Sequence, residues 1–359
     1  MLTERKFKNL MVTGGCGFIG SNFIRYLFTE AGFKGKIINV DRLSYAGNPL
    51  SLTDIENDYP KRYHFIRADV GNTEQMETIF TSHHVDAICH FAAETHVDRS
   101  IKSPQEFIQA NIVGTHSLLE VIRKHSHQLT LFHHISTDEV FGSLDDTGYF
   151  TETSLYRPNS PYSATKASSD HLVQAYGHTY GLPVTLSNCS NNFGPYQFPE
   201  KLIPLMTLNA LENKPLPVYG NGKNVRDWLY VTDHCRAIWK IMCHSPVGET
   251  YVIGGDAEKQ NIEIVQSICD ILDTIVPGKE GRRQSLIAYV NDRPGHDFRY
   301  AIDCTKIKQL LEWRPKESFE NGLNKTIQWY LDHKEWIVQV QTGAYREWIQ
   351  KHYYSAIGF

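Results

Sequence analysis

Short β-rich runs alternate with amphipathic stretches of helical length along the first two-thirds of the chain. NLMVT (9–13), KIINVD (36–41), YHFIRADV (63–70), AICHFAA (87–93), LTLFHHIS (129–136) and PVTLSNCS (183–190) read as strands. SNFIRYLFTEA (21–31) and TEQMETIFTSH (73–83) read as helices between them. A longer helical pattern covers 103–125, with Ser103 at the N-cap and Pro104 in the first helical position. This alternation predicts an α/β fold built on a doubly wound parallel sheet.

After about residue 190 the texture changes. NNFGPYQFPE and NKPLPVYGNGKNVRDW are rich in Pro, Gly, Asn and aromatics, as suits loops that grip a ligand. VTDHCRAIWKIMCH (231–244) is helical in pattern and ETYVIGG (249–255) strand-like; both can return to the first domain. The rest is mostly helical, as in NIEIVQSICDILDTIV and FENGLNKTIQWYLDHK. The expectation is a first domain of 1–190, completed by about 231–255. A smaller, mostly helical second domain comes from 191–230 and 256–359.

Composition narrows the function classes. With 359 residues, 41% hydrophobic and 12% aromatic, the chain can build two cores and does not read as disordered. A net charge of −4 implies no strongly basic face, so no nucleic-acid partner is expected. The 17 histidines show no metal-ligand spacing, and no metal is expected. Seven scattered cysteines without a CxxC read as buried free thiols in a reducing compartment. The first residues lack an apolar signal core and no run reaches 18 apolar residues. A soluble, cytoplasmic protein without membrane partners is the expectation.

The first strand runs into TGGCGFIG, with glycines at 14, 17 and 20. That spacing allows a tight turn, close approach of a pyrophosphate and close packing of the next helix, whose N-terminus faces the phosphate charge. Asp41 closes the second strand about twenty residues on, where it can accept the adenosine ribose hydroxyls and repel a 2′-phosphate. The pattern predicts a Rossmann dinucleotide site that prefers NAD to NADP. Arg42 pulls the other way, since an arginine there could meet a phosphate. Asp69 and Val70 fall where the adenine edge would lie; a strand-terminal Asp that caps the next turn is the plain alternative.

Ser160 and Pro161 open a helix that places Tyr162 and Lys166 at i and i+4 on one face. An ammonium beside a phenol lowers its pKa, so the phenolate can take a hydroxyl proton while a hydride leaves the same carbon. YxxxK alone is common on surface helices; behind a dinucleotide loop and a strand ending in Ser-Thr it gains weight. That strand runs on into Asp138 and Glu139. Two adjacent carboxylates in a dry cleft repel each other and can split into one acid and one base. A solvated loop feature is the plain alternative.

TGGCGFIG, Thr137 and YSATK together resemble the extended short-chain dehydrogenase/reductase superfamily. AAETHVDRS (92–100), STDEVFG (136–142), NCSNNFGPYQFPEKLIP (188–204), RDWLYVTDH (226–234) and DRPGHDFRYAID (292–303) narrow the resemblance to the dTDP-glucose 4,6-dehydratase family, over nearly the whole chain. The resemblance implies NAD, tightly bound and recycled within each turnover, and dehydration of dTDP-glucose to a 4-keto-6-deoxy sugar. By it Tyr162 is the base at the C4 hydroxyl and Thr137 a hydrogen-bond partner of the C4 oxygen. Glu139 is the base at C5 and Asp138 the acid for the departing C6 hydroxyl. Lys166 binds the nicotinamide ribose and tunes Tyr162.

It further assigns Phe18, Ile19, Leu43, Ser44, Phe91, Ala92, Ala93 and Asn192 to the cofactor, beside the glycines and Asp41, Arg42, Asp69 and Val70. Thr95 and Asn191 fall near the sugar. Lys201, Leu202, Pro217, Val218, Tyr219, Arg226, Asn261, Asp292, Arg293, Pro294, Gly295 and His296 fall around the nucleotide diphosphate. Arg226 and Arg293, read as loop residues, suit a diphosphate as forked donors. Phe141 stands where many members have Tyr, and Thr95 where many have Ser. The resemblance also implies a homodimer through 103–125 and 161–180. The rivals are a UDP-glucose 4,6-dehydratase, a nucleotide-sugar 4-epimerase, which lacks the acid pair, and a silent NAD-binding regulator.

Overall fold

The computed structural model describes residues 4–277 and 281–341. Among them the strands are β1 (Asn9–Thr13), β2 (Lys36–Asp41), β3 (Tyr63–Arg67), β4 (Ala87–His90), β5 (Leu131–Thr137) and β6 (Val184–Cys189). There follow β7 (Asn191–Phe193), β8 (Leu216–Tyr219), β9 (Val225–Tyr230), β10 (Thr250–Ile253), β11 (Glu258–Gln260) and β12 (Ile287–Val290). Seven of them form one sheet in the order β10-β6-β5-β4-β1-β2-β3, every pair parallel.

The chain thus starts at β1, winds outward to β3, and returns to β4 on the other side of β1. Ligands bind doubly wound sheets in the crevice where the winding reverses, at the carboxyl ends of the strands. Alternation along β1 shows why both faces are covered. Leu10 and Val12 pack with Phe23 and Ile238 on one side, while Met11 packs with Phe80 and Leu118 on the other. Each such fully buried side chain contributes on the order of 2 kcal/mol.

The chain from β7 onward adds a three-stranded sheet, β11-β9-β7, and a parallel pair, β12-β8. Helices Leu202–Leu211, Asn261–Ile275 and Phe319–Asp332 cover them around Phe193, Met206, Trp228, Ile268 and Leu323. β10 leaves this lobe to pair with β6 in the large sheet. Residues 342–359, assigned from sequence to this lobe, lie outside the described residues, as do 1–3.

Several elements differ from the sequence reading, among them the strand over 87–93, which ends at His90. The first helix begins at Phe18, not 21, because Gly17 already stands at its N-cap. The strand over 63–70 stops at Arg67, since Asp69 Oδ1 accepts Gly71 N at 2.8 Å and turns the chain. The long helix over 103–125 is broken: Pro104–Phe107 is α-helical, Ile108–Val113 a π-helical turn, and Gly114–Lys124 α-helical again. A preceding helix, Val97–Lys102, has no counterpart in the sequence reading.

Candidate active site

The turn from β1 into helix Phe18–Thr29 needs its glycines. Gly14 has φ +70°, and a Cβ there would stand 2.7 Å from Ala92 N. A Cβ on Gly20 would stand 2.4 Å from Gly14 O, so the helix could not seat against the turn. At the end of β2, Asp41 is fixed by two backbone donors, Cys16 N at 3.0 Å and Leu43 N at 2.8 Å. A cavity of about 280 Å³ opens at these strand ends. Of the residues assigned to the cofactor, all but Leu43 line it; Leu43 acts instead by holding Asp41. The glycine cradle, the helix N-terminus and the buried Asp41 fit NAD.

Thr137, Asp138, Glu139, Tyr162 and Lys166 line the same cavity. β5 ends in Thr137, which caps a 3₁₀ turn over Asp138–Phe141: its hydroxyl oxygen accepts Glu139 N at 3.3 Å and donates to Asp138 Oδ1 at 3.3 Å. Asp138 is 1% exposed, and its Oδ2 has no hydrogen-bond partner among the described residues. Burial, then the neighbouring Glu139, pushes its carboxyl well above the usual range. Burial also raises half-buried Glu139, but Arg293, Lys201 and Arg226 pull it back. The two acids are therefore pushed apart, Asp138 toward the protonated form.

Ser160 caps helix Pro161–Tyr180 through a reciprocal bond with Ser163, and Pro161 opens it, as the sequence predicts. Tyr162 packs against Phe107 with ring centroids 6.3 Å apart, and its backbone N donates to Ser100 Oγ at 3.1 Å. Its phenol is not lowered as the lysine spacing predicts. Burial and the nearby Glu139 raise it well above the ordinary value. Lys166 instead donates to Ile135 O at 2.8 Å, a buried ammonium supported by Asp170.

The residues assigned to the substrate divide. Thr95, Asn191 and Lys201 line the cavity with Thr137, and Lys201 Nζ donates to Thr95 O at 2.9 Å. Leu202 begins a helix, Asn261 another, and Pro217, Val218 and Tyr219 lie on β8. None of these five lines the cavity. Asp292 to His296 follow β12 as a loop, with His296 Nδ1 2.5 Å from Asp292 Oδ1. Arg293 lies 3.3 Å from Asp98 Oδ1, and Tyr219 OH donates to Asp98 Oδ2 at 3.1 Å. Arg226 is not a loop residue. It lies buried on β9, stacked 4.2 Å from the Tyr300 ring centroid, and donates to the carbonyls of Val225 and Asp297 at 2.7 and 2.9 Å. Those bonds leave it fewer donors for a diphosphate than a free loop arginine would have.

Comparison with known proteins gives this geometry a family. A family model described as GDP-mannose 4,6 dehydratase matches residues 11–326. The dTDP-glucose 4,6-dehydratase 1 of Escherichia coli (strain K12) is 51% identical over 360 residues, covering 96% of this chain and 98% of its own. The chain belongs to the dTDP-glucose 4,6-dehydratase family. A dTDP-glucose 4,6-dehydratase from Bacillus anthracis, solved in complex with NAD, is 46% identical with a TM-score of 0.83, covering 93% of this chain and 99% of its own. One from Streptomyces venezuelae, solved with NAD bound, is 43% identical with a TM-score of 0.85, covering 91% and 98%. NAD is the cofactor of this dehydratase.

Sequence reasoning missed the residues that brace the strand and helix carrying Thr137 and Lys166. Asp170 Oδ2 accepts from Ser136 Oγ at 2.7 Å, Tyr156 OH at 2.9 Å and Asn188 Nδ2 at 3.1 Å. Asn188 Nδ2 also donates to Thr137 O at 3.2 Å, which ties the end of β5 to β6 and the helix. One signal was available: Tyr162, Lys166 and Asp170 stand at i, i+4 and i+8. Glu94, which lines the cavity, and Asn111, which holds it, gave no comparable signal.

Proposed function

We propose that this chain dehydrates dTDP-glucose to dTDP-4-keto-6-deoxyglucose, with the five residues named above as its catalytic set. The observation that carries the reading is the acid pair. Asp138 and Glu139 stand at the end of β5, in the same cavity as Tyr162 and Lys166, with their carboxyls pushed apart. Oxidation or epimerisation alone has no use for that pair; removal of a C5 proton with loss of a C6 hydroxyl needs one acid and one base.

Bound NAD, held by the glycine turn, Asp41 and Lys166, would supply the hydride acceptor for C4 and the hydride donor for C6. Tyr162 takes the C4 hydroxyl proton once the positive charges of Lys166 and of the bound nicotinamide offset the burial that raises its phenol, and Thr137 hydrogen-bonds the C4 oxygen. The resulting ketone acidifies the C5 hydrogen, which Glu139 removes while protonated Asp138 donates to the leaving C6 oxygen; Glu139 then returns a proton to C5 as the hydride arrives at C6. Lys166 holds the nicotinamide ribose and adds positive charge behind Tyr162. Lys201 beside Glu139 favours its ionised, basic form.

The division of labour follows the chain. Residues 1–190 with about 231–255 hold the cofactor, and 191–230 with 256–359 hold the nucleotide; the pairing of β10 with β6 supports that division. A homodimer in the cytoplasm completes the reading. Seven buried free thiols suit a reducing compartment, and among the described residues no helix is long and apolar enough to cross a membrane.

Isotopes test it. Substrate deuterated at C4 is expected to yield product labelled at C6. The reaction in deuterated water is expected to place solvent deuterium at C5, because Glu139 exchanges its proton before the hydride returns. A label that stays at C4, or no solvent label at C5, overturns the reading.

A further inference from the structure

Arg42 follows Asp41 at the end of β2, where a free guanidinium could meet a phosphate on the adenosine ribose. It is not free. One amino group stands 2.5 Å from Glu94 Oε1 and the other 3.4 Å from Asp69 Oδ2. Glu94 is 5% exposed, and the structure holds it in place. Its backbone N donates to Asn111 Oδ1 at 2.8 Å, and Asn111 Nδ2 donates back to Glu94 O at 3.0 Å. Asn111 sits in the π-helical turn and is itself buried, bonded to Thr165 at 2.9 Å. The wall of the cavity therefore sets one guanidinium against three carboxylates, Asp41, Asp69 and Glu94.

We propose that Glu94 determines cofactor choice: by pairing with Arg42 it withholds the guanidinium from a ribose 2′-phosphate and so enforces NAD over NADP. The physical reason is the state of Glu94 once Arg42 leaves. A buried carboxylate stripped of its cation is costly, and a 2′-phosphate that recruits Arg42 must bear that cost. Asp69 is half exposed and gives Arg42 up more easily. The proposal rests on the dinucleotide reading of this cavity.

The test is equilibrium titration of the full chain, freed of nucleotide, with NAD and NADP by calorimetry. Glu94→Gln keeps the shape and removes the charge. It is expected to raise NADP affinity about tenfold while NAD affinity moves less than about threefold. Arg42→Ala in the native background is expected to leave the ratio of the two affinities within about twofold, because Arg42 is already engaged there. In the double variant the gain from Glu94→Gln is expected to vanish. An unchanged ratio in Glu94→Gln overturns the proposal. So does an Arg42→Ala variant that alone loses about tenfold for NADP, a result that decides the matter even where Glu94→Gln does not fold. A native chain that binds neither nucleotide overturns the dinucleotide reading itself, and a changed ratio with intact NAD binding separates the two claims.

Discussion

Asp138 and Glu139 share a turn but not an environment. Asp138 turns into the protein, with one oxygen unpartnered, whereas Glu139 faces Lys201, Arg293 and Arg226. On the proposed roles, Asp138→Asn removes the acid and leaves C4 oxidation intact. Mixing it with substrate is expected to show reduced-nicotinamide absorbance building up, with turnover lowered by about 10²–10⁴. Tyr162→Phe is expected to show no such absorbance; identical traces would make the assigned roles wrong. Asp170 carries a pH signature of its own. Burial raises it from 3.8 to about 6, so the folded state holds its proton more tightly than the unfolded chain does. Its stabilising contribution is full below 3.8 and is lost as pH rises through about 6. Thermal melts are expected to show Asp170→Asn gaining on the native chain as pH climbs through that window; a constant gap would contradict the assignment. Sequence placed Asp138 and Glu139 at a strand end but left a solvated loop feature as an alternative, and the burial of Asp138 speaks against that alternative. Asp170 was not legible in sequence, because nothing in its neighbours announces that its carboxylate is buried among Ser136, Tyr156 and Asn188.

Helices and strands were legible where one face decides them. β1 alternates between two cores, and the 160s helix begins with a Ser-Pro start signal that the structure keeps. The failures come where a side chain competes with the backbone ladder. Residues 103–125 carry a continuous helical pattern, yet the ladder widens to a π-helical turn around Asn111. Such turns concentrate at functional sites, and here the gain is a side chain spent wholly on Glu94 and Thr165. Asn111→Ala leaves the backbone N–H and C=O of Glu94 without that partner. It is expected to lower stability by about 2 kcal/mol in urea denaturation. A variant as stable as the native chain would show that the turn serves another purpose.

At the scale of the whole molecule, the winding reversal between β1 and β4 brings together motifs more than a hundred residues apart. The glycine loop was legible because backbone sterics force its spacing, and the lobe that faces it mainly by its loop-rich texture. What sequence could not apportion is how the helical stripes divide between the molecule's own sheet and a second copy. Phe107, Leu119, Val173 and Tyr176 are all buried within one chain. Ile108 at 47% and Tyr180 at 51% exposure remain on the outer face, with Leu172 half-buried nearby in sequence to Tyr180. An apolar remnant on two adjacent helices is the raw material of a four-helix interface between two copies, and a stable one requires roughly 800 Å² from each. Light scattering at micromolar concentration is expected to give twice the chain mass. Ile108→Glu places a charge on that face and is expected to shift the mass toward a single chain, with the circular dichroism spectrum unchanged. A native chain that scatters as a monomer, or an Ile108→Glu variant that stays dimeric, would move the interface elsewhere or remove it.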